Sequence, residues 1–391
     1  MVSRETVPNC TGCSACQNAC NLDAIEMVAD KEGFVYPRVD SEKCIRCGKC
    51  VKSCPSIQSL RAGDHFEPEV YAAWNKDTQI RILSTSGGVF TALAEVIIDQ
   101  GGYVAGAFYD EGFRICHGVV SSLDEIPRLR QSKYAQSWIG STFRTVQKLL
   151  KDDKTVLFCG TPCQSAGLQQ FLGKEYANLY CCDFICRGVI SPKVYEKFLQ
   201  DMQPANAAEL SCVHFKNKDF GWNRFSTKLT FGDGSVYHKD RNEDYYMRGY
   251  LRHNLYLRPS CHRCEYKTLP RVSDMSLGDF WGIGRYDSSL DNEKGTSVVL
   301  VNSEKGRKLL ALSQEKLVLH KRSLEEVVAG NSCLLNVAKP GEYRDYFFKN
   351  MERCHFDELI LRIDKKTTKT PVRYRFYRCI GKAKRFLVNR G

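Results

Sequence analysis

Eight cysteines lie within the first 54 residues, and they repeat one spacing pattern, C-x-x-C-x-x-C-x-x-x-C. The first copy consists of Cys10, Cys13, Cys16 and Cys20, and the second of Cys44, Cys47, Cys50 and Cys54. Each cysteine lies 34 residues from its counterpart. This density of thiols constrains the segment strongly, because it predicts a fold organised around inorganic groups that the thiolates bind.

The spacing suits the [4Fe–4S] cubane. Tight turns let the first three thiolates of each copy bind three irons of one cluster, while the fourth thiolate binds the other cluster. We therefore assign one cluster to Cys10, Cys13, Cys16 and Cys54, and the other to Cys44, Cys47, Cys50 and Cys20. A pair of zinc sites is the alternative, but zinc favours two separated C-x-x-C pairs.

Residues 5–58 resemble the bacterial two-cluster ferredoxins. One departure is Asn21, which stands where proline usually follows the fourth cysteine. We predict a ferredoxin-type domain over residues 1–60, which stores and relays single electrons. The remaining 330 or so residues must then supply the source or the sink of those electrons.

The whole chain of 391 residues contains 20 cysteines, and its length indicates two or three domains. The opening MVSRETVPNC has no signal-peptide pattern, and no run of 18 apolar residues occurs. We therefore expect a cytoplasmic protein whose cysteines are thiolates in a reducing compartment, not a disulfide scaffold.

The net charge of +12 is concentrated at one end. Residues 365–391 carry ten Lys or Arg and no acid, and removing these ten charges leaves +2 for residues 1–364. We expect no nucleic-acid binding by the main body, because its charge is nearly balanced.

Beyond a polar linker at 59–68, strand-like and helix-like stretches alternate, which indicates an α/β domain. We predict strands at Val70–Trp74, Tyr103–Tyr109, Thr155–Phe158 and Asn178–Ile185. We predict helices at Val89–Asp99, Thr142–Leu150, Cys163–Leu172 and Pro192–Met202. Residues 210–240 change to a β-meander pattern with a Gly-Asp-Gly turn at 232–234. The fold class is thus α+β with several domains: a ferredoxin-like module, a larger α/β domain and a basic helical extension.

Three small polar motifs follow predicted strands or open helices. Ser86-Gly87-Gly88 opens a helix, Lys133-Tyr134-Ala135-Gln136-Ser137 combines a charge with an aromatic ring, and Gly160-Thr161-Pro162-Cys163-Gln164 links a strand to a helix. Glycines at a helix N-terminus admit an anion such as a pyrophosphate. A simple helix cap at Ser86 and a solvated charge at Lys133 are the alternatives. The Rossmann, P-loop and radical-SAM motifs are absent from the sequence.

A second group of cysteines is dispersed: Cys163, Cys186, Cys261 and Cys264. Four thiolates suffice for a third cluster or a structural zinc, and the C-x-x-C pair Cys261/Cys264 also fits a redox disulfide. Cys159, Cys181 and Cys182 compete as ligands, whereas Cys116, Cys212, Cys333, Cys354 and Cys379 lack partners at ligand spacing.

Seven ordered motifs resemble those of the beta subunits of coenzyme F420-reducing hydrogenase and related dehydrogenases. They are Ser86-Gly87-Gly88, SKYAQS (132–137), GTPCQSAGL (160–168), DFICRGVISP (183–192), FKNKDFGW (215–222), RPSCHRCEYK (258–267) and SDMSLGDFWG (273–282). The resemblance covers about residues 68–310, which we take as a second domain, followed by a helical, basic extension at 311–391.

The resemblance implies FAD and one further [4Fe–4S] cluster. The cluster ligands carried over from the family are Cys163, Cys186, Cys261 and Cys264. The implied flavin site draws on Ser86, Gly87, Gly88, Lys133, Tyr134, Gln136, Ser137 and Thr161. Asp279 and Trp281 are expected to be structural, and Arg187 replaces a histidine of many relatives, which changes the charge near the cluster.

We therefore hypothesise an oxidoreductase that relays electrons between its clusters and a two-electron substrate through FAD. Its partners would be a redox carrier, such as a ferredoxin or F420, and a small-molecule substrate. An electron-input subunit of a larger complex and a non-enzymatic iron–sulfur sensor are the alternatives. No catalytic residue is assigned; Lys133, Tyr134 and His262 are proton-donor candidates by residue type alone.

Phe376, Ile380, Ala383 and Leu387 have helical spacing among basic residues, which predicts a basic amphipathic helix. Such a helix could lie on the inner face of the membrane or bind an acidic protein. A docked terminal helix with a solvated basic face is the simpler interpretation, which we favour slightly.

Overall fold

A computed structural model describes residues 1–58, 66–204 and 208–367. Most of the linker predicted at 59–68 and the predicted basic helix at 376–387 lie outside these described residues. In the part that is described, no helix is long and apolar enough to cross a membrane.

The N-terminal module is a small ferredoxin-like unit. The second and third cysteines of each motif sit beside a short helix, and a hairpin joins the two motifs. The elements are α1 (Ala15–Asn18), β1 (Ile25–Ala29), β2 (Val35–Val39) and α2 (Lys49–Lys52). Strands β1 and β2 pair antiparallel, and Val2, Val7, Ile25 and Met27 pack with cysteine side chains in their own core. The predicted ferredoxin-type domain is confirmed.

The large domain is built on one mixed sheet of eight strands. Its strands in chain order are β3 (Glu69–Asn75), β4 (Tyr103–Tyr109), β5 (Ile115–Val120), β6 (Val156–Cys159) and β7 (Leu179–Phe184). Three more strands of this sheet, β11 (Met275–Asp279), β12 (Ser297–Val301) and β13 (Leu317–Arg322), follow a separate three-stranded meander of β8 (Leu210–Asn217), β9 (Ser226–Phe231) and β10 (Val236–Asp240). The order in the large sheet is β13-β3-β12-β11-β7-β6-β4-β5, with β4, β6, β7 and β11 parallel.

Helices cover both faces of this sheet. They are α3 (Thr78–Ile82), α4 (Val89–Asp99), α5 (Ile126–Leu129), α6 (Thr142–Lys151), α7 (Pro162–Leu172), α8 (Pro192–Met202), α9 (Tyr245–Met247), α10 (Glu304–Ser313), α11 (Leu324–Gly330), α12 (Arg344–Asn350) and α13 (Phe356–Thr367). Successive strand residues face opposite sides: Leu157 packs into the core beside α4, whereas Phe158 packs into the core beside α6 and α7. Both faces of the parallel strands are therefore buried.

The strands and helices predicted between residues 70 and 202 are confirmed, with ends that differ by at most one residue. The helical prediction for 311–391 is wrong for Leu317–Arg322, which forms β13 and pairs antiparallel with β3. Leu317 and Leu319 are two residues apart and therefore face the same side of a strand, and both pack in or against the core beside α4.

The ferredoxin module packs directly onto the large domain. Cys13 and Ala15 share one hydrophobic core with Phe143 of α6 and Leu168 of α7. A methyl group added at Gly167 would lie 2.9 Å from both Cβ and Sγ of Cys13, so the absence of a side chain lets α7 approach the first cysteine motif. The module is thus held against the same face of the sheet as α6 and α7.

Candidate functional site

Two of the dispersed cysteines follow the carboxyl ends of neighbouring parallel strands. Strand β6 ends at Cys159 and leads into α7, whose second residue is Cys163; strand β7 ends at Phe184, two residues before Cys186. A capping box fixes the start of α7, because Thr161 Oγ1 accepts from Gln164 N and Gln164 Oε1 accepts from Thr161 N. In α/β sheets ligands bind outside the carboxyl ends of strands, which is where these thiols lie.

The other two cysteines come from a loop that crosses this edge. Arg258 N donates to Val189 O over 2.9 Å, and an isolated bridge pairs Leu257 with Ile190. The amide of Val189 also donates to Cys261 Sγ over 3.4 Å. The loop is therefore fixed to the segment that follows Cys186.

Cys163 lies near enough to Cys186, Cys261 and Cys264 for their charges to act on it, and all four cysteines are half-buried. Burial raises the pKa of the Cys163 thiol well above its usual range, and the nearby thiols of Cys186, Cys261 and Cys264 raise it further. Burial likewise raises the pKa of Cys186 to about 12. Buried thiols with these pKa values become thiolates only when a cation offsets their charge, so the donor set fits an iron–sulfur cluster.

The competing cysteines lie in the sheet. Cys181 and Cys182 are buried on β7 in the cores on its two faces, and Cys159 packs against the Cys182 side of the sheet. The described cysteines are all free thiols, including Cys261 and Cys264. Among the described residues, no group of three or more His, Cys, Asp or Glu side chains has the close spacing that a single metal ion needs, so the dispersed thiols lie near one another without forming a single-ion site.

The structure brings together the four cysteines assigned to the first ferredoxin cluster. One cavity is lined by Cys10, Cys13 and Cys16 of the first motif and by Cys54 of the second. Burial raises the pKa of Cys13 to about 12, and the Cys10 and Cys54 thiols add to that shift. Cys54 of the second motif thus lies with three cysteines of the first, which is the position that an exchange of the fourth ligand between the motifs requires.

The second ferredoxin site lies nearer the surface. Cys20 and Cys50 both pack on the small apolar core of the module. Cys44 Sγ lies 3.4 Å from Met1 Sδ, and Cys47 is exposed. The structure thus separates a covered first site from a more open second one.

Arg258 links the ferredoxin module to the cysteine loop. Its side chain is completely buried; Nε donates to Cys10 O over 3.1 Å, Nη2 to Val35 O over 2.9 Å and Nη1 to Gln136 Oε1 over 2.8 Å. Burial raises the pKa of Cys261, and the charge of Arg258 offsets part of that rise. One buried cation therefore acts on cysteines of both the first ferredoxin site and the dispersed group.

Tyr266 occupies the same region between the two sites. Burial raises the pKa of its hydroxyl, and Cys163 and Cys13 raise it further, which places the ring near both thiols. The hydroxyl is buried without a hydrogen-bond partner among the described residues. Sequence reasoning missed Arg258 and Tyr266, although both lie within the quoted motif RPSCHRCEYK.

The side chains predicted to hold a flavin are engaged within the protein. Ser86 Oγ donates to Thr296 O, Ser137 Oγ accepts from Gln164 Nε2, and Gln136 Nε2 donates to Thr11 O of the ferredoxin module. Gly87 N donates to Ser297 Oγ, and no side chain caps the helix at Gly88. The interpretation of Ser86 as a helix cap is therefore wrong, because its hydroxyl anchors the loop to the carbonyl before β12.

Tyr134 and Thr161 are also held by neighbours. The Tyr134 ring packs edge-on against Phe215 and Tyr250, and Thr161 Oγ1 lies 3.1 Å from Cys163 Sγ. Tyr134 is thus part of an aromatic core, and Thr161 belongs to the start of α7 beside the cysteine group.

Two buried lysines lie near the loop that opens α4. Lys133 Nζ donates to three backbone carbonyls, of Leu129, Arg130 and Gln131, and burial lowers its pKa to about 7. Lys133 is therefore not the solvated surface charge considered above.

Lys218, which sequence reasoning missed, repeats this arrangement. Its Nζ donates to the carbonyls of Arg81, Ser86 and Lys294, and burial lowers its pKa to about 7. Among the described residues neither Lys133 nor Lys218 forms an ion pair with a carboxylate within 4 Å. Asp279 acts on Lys218 only from beyond 4 Å, so both ammonium groups can meet an anionic ligand.

A cavity of about 310 Å³ opens beside Lys218. Its wall is formed by the end of α3, by the segment around Gln131 and by the meander. The lining residues include Leu83, Gln131, Cys212, His214 and Lys218. Its size lies within the usual range for small-molecule sites.

The remaining residues have mainly structural contacts. Asp279 accepts from Lys216 Nζ over 2.9 Å and from Trp222 Nε1 over 2.7 Å, and Trp281 stacks on Trp222. Arg187 Nη2 donates to Asn254 Oδ1 over 2.7 Å. His262 Nδ1 lies 2.6 Å from Ala338 O, and its buried Nε2 has no partner among the described residues.

Family models match both parts of the chain. Residues 153–327 match the model that describes the carboxyl-terminal region of the coenzyme F420 hydrogenase/dehydrogenase beta subunit. Residues 9–57 match a 4Fe-4S dicluster domain, and a second model of that description matches residues 36–91. Residues 153–327, which are 175 of the 391 residues, are therefore similar to the coenzyme F420 hydrogenase/dehydrogenase beta subunits. The N-terminal module is a 4Fe–4S dicluster domain, and the family resemblance stated above is confirmed.

Individual relatives match less of the chain or match it weakly. One component of the Na(+)-translocating ferredoxin:NAD(+) oxidoreductase complex of Acetobacterium woodii is 48% identical over 52 residues, 13% of this chain. That match spans only 14% of the relative's length. A chain of the F420-reducing [NiFe] hydrogenase complex from Methanosarcina barkeri aligns over 80% of this chain and 97% of its own, with 15% identity and a TM-score of 0.44.

Replacing Arg258 by Met tests its effect on the first cluster. The guanidinium stabilises the more negative, reduced cluster, so Arg258→Met should lower the midpoint potential of the cluster beside Cys10. Redox titration followed by electron paramagnetic resonance measures this shift.

Arg144→Met is the matched control. Arg144 also joins the modules, with Nε donating to Asn18 O over 2.8 Å, but its side chain is 39% exposed and its charge is screened. Equal shifts in both variants, or none in Arg258→Met, would contradict the assignment.

The buried Lys133 predicts a pH dependence of stability. Its pKa is lowered from 10.5 to about 7 in the folded state, so the unfolded state binds more protons between these values. The free energy of unfolding should therefore rise with pH above about 7. Below pH 7 Lys133 is protonated in both the folded and the unfolded state, so it adds no slope there. Lys133→Met should reduce the rise of the melting temperature between pH 7 and 8.5.

Lys218 contributes in the same direction, so the rise should shrink rather than vanish. The exposed Lys151, replaced by Met, is the control and should leave the slope unchanged. Identical slopes in the wild type and Lys133→Met would show that this ammonium group is not buried.

Proposed function

We propose that the protein is an iron–sulfur flavoprotein oxidoreductase in which the ferredoxin clusters exchange electrons with a third [4Fe–4S] cluster and with FAD. The matches to a 4Fe–4S dicluster domain and to the F420 hydrogenase/dehydrogenase beta-subunit family support the general part of this statement, that the protein is an iron–sulfur oxidoreductase. The third cluster, the flavin and a two-electron substrate are the proposal.

The position of Cys163 relative to Cys13 carries this proposal. Cys163 and Gly167 are four residues apart on α7 and therefore lie on the same helix face, about one turn of 5.4 Å apart. Gly167 contacts Cys13 of the first ferredoxin site. One face of α7 therefore carries Cys163, a ligand of the proposed third cluster. One turn later the same face contacts Cys13, a ligand of the first cluster.

We order the three cysteine sites from the surface of the ferredoxin module towards the large sheet. The second ferredoxin site includes the exposed Cys47, the first is enclosed against α7, and the dispersed group lies at the carboxyl ends of β6 and β7. Arg258 and Tyr266 fill the space between the last two sites and exclude water from it. This order supports a relay of single electrons.

We place an FAD beside the start of α4, with part of it in the cavity of about 310 Å³. Its anionic groups would meet the free backbone amides at that helix start, with Lys133 and Lys218 as buried cations. A bound flavin supplies the conversion between single electrons and electron pairs. With a pKa near 7, Lys133 Nζ can hold or release a proton at neutral pH.

The substrate would occupy the same cavity. His214, Lys228, Asn217 and Gln131 offer hydrogen-bonding groups in its wall, which suits a polar organic molecule. Coenzyme F420 is one such molecule and is named in the family description, so it is the first substrate to assay.

Metal and flavin analysis of anaerobically purified protein tests the cofactor set. The wild type should contain about twelve irons and one FAD per chain, and almost no zinc. Cys163→Ser should retain about eight irons, because only the third cluster loses a ligand.

Cys159→Ser is the matched control, since Cys159 lies four residues away and faces the sheet. It should keep all twelve irons. Eight irons in the wild type, or zinc in place of the third set of four irons, would refute the third cluster, and a protein without flavin would refute the flavin site.

A further inference from the structure

The two cysteine motifs differ in what covers them. Cys13 of the first motif is 8% exposed, whereas its counterpart Cys47, 34 residues later, is exposed. Ile45, which precedes Cys47 by two residues, is 71% exposed although it is a large apolar side chain. The internal repeat therefore allows a position-by-position comparison of one loop that is docked with one that is not.

Three positions of the first motif touch the large domain. A methyl group at Gly12 would lie 2.5 Å from Gln136 Nε2, and Ala15 is completely buried in the core that includes Phe143. Asn18 Nδ2 donates to Gly140 O over 2.9 Å. Small or uncharged residues at these positions let the loop pack against a protein surface.

The same three positions of the second motif are basic. Gly12 corresponds to Arg46, Ala15 to Lys49 and Asn18 to Lys52. All three side chains are exposed, and within the described residues none forms an ion pair with a carboxylate. Residues 43–58 contain four bases and no acid.

We propose that this second loop, residues 43–52, is a docking surface for an acidic electron-carrier protein. The proposal rests on the proposed function, because it needs the second cluster. By the repeat, this loop corresponds to the loop of the first motif, which packs against the large domain. Ile45 is an exposed apolar side chain surrounded by basic residues, as at the centre of a protein interface. The carrier would lose one electron, and the cluster held by Cys44, Cys47, Cys50 and Cys20 would gain it.

Charge complementarity selects the class of carrier. Opposite charges around a small apolar contact raise the association rate by about 10 to 1,000-fold at low salt. An acidic surface satisfies the unpaired Arg46, Lys49 and Lys52, whereas a basic carrier is repelled. Basic residues that only offset the charge of the cluster would instead change its potential and leave association unaffected.

The test is the rate at which a reduced, acidic bacterial 2[4Fe–4S] ferredoxin transfers electrons to the intact protein, followed by stopped flow at increasing ionic strength. The wild-type rate should fall with salt. The triple variant Arg46→Glu, Lys49→Glu, Lys52→Glu should be at least about tenfold slower at low salt and nearly independent of salt.

Lys151→Glu, Lys239→Glu, Lys308→Glu is the control, because it makes the same change of net charge at exposed positions elsewhere. A triple variant as fast as this control, or a wild type that the ferredoxin reduces without salt dependence, would overturn the docking proposal. The potential of the second cluster, measured on the same samples, should be similar in both variants; a slower rate explained by a changed potential would also overturn it.

Iron analysis of each sample separates this proposal from the proposed function. A wild type with fewer than eight irons refutes the cluster assignment itself. If only the triple variant loses iron, the single variant Lys49→Glu is compared with Lys151→Glu instead. One reversed charge in the second loop should still slow the reaction with ferredoxin several-fold.

Discussion

The arrangement of the iron–sulfur sites depends on the buried guanidinium of Arg258. A buried charge is stable only when hydrogen bonds satisfy it, and Arg258 obtains them from Cys10 O and Val35 O of the ferredoxin module and from Gln136 of the large domain. Because Arg258 precedes Cys261 by three residues, the contacts that dock the module also fix the cysteine loop. Docking and site geometry are therefore set by one residue.

This coupling explains why the first motif is apolar and the second basic. The first motif shares a core with α6 and α7, and Arg144 holds its end by donating to Asn18 O. The second motif is less covered: Gln170 of α7 donates to Lys52 O over 2.8 Å, but the side chains of Arg46, Lys49 and Lys52 are exposed. A repeat that began with equivalent loops thus carries an internal contact in one copy and a solvent-facing charge in the other.

Local patterns determined much of what the sequence could predict. The cysteine spacing and the alternation of strands and helices depend on residues close together in the chain, so both can be recognised from the sequence alone. The strand Leu317–Arg322 was missed because its pairing with β3 joins residues some 250 positions apart.

The same limit applies to the site. Gln136 was assigned to the flavin from a five-residue motif, but its amide binds Thr11 O, 125 residues away. The convergence of Cys163, Cys186, Cys261 and Cys264 was implied by the family resemblance, whereas the spacing alone left zinc and a disulfide open. Contacts between the modules are tertiary, and no local period in the sequence encodes them.

The most direct test of the account is the magnetic interaction between clusters in the fully reduced protein, observed by electron paramagnetic resonance. If the first ferredoxin cluster and the proposed third cluster lie on one face of α7, their spins should couple and broaden both signals. Cys163→Ser should remove that coupling and leave the ferredoxin signals otherwise intact. A wild-type spectrum identical to that of Cys163→Ser would contradict the proposed relay.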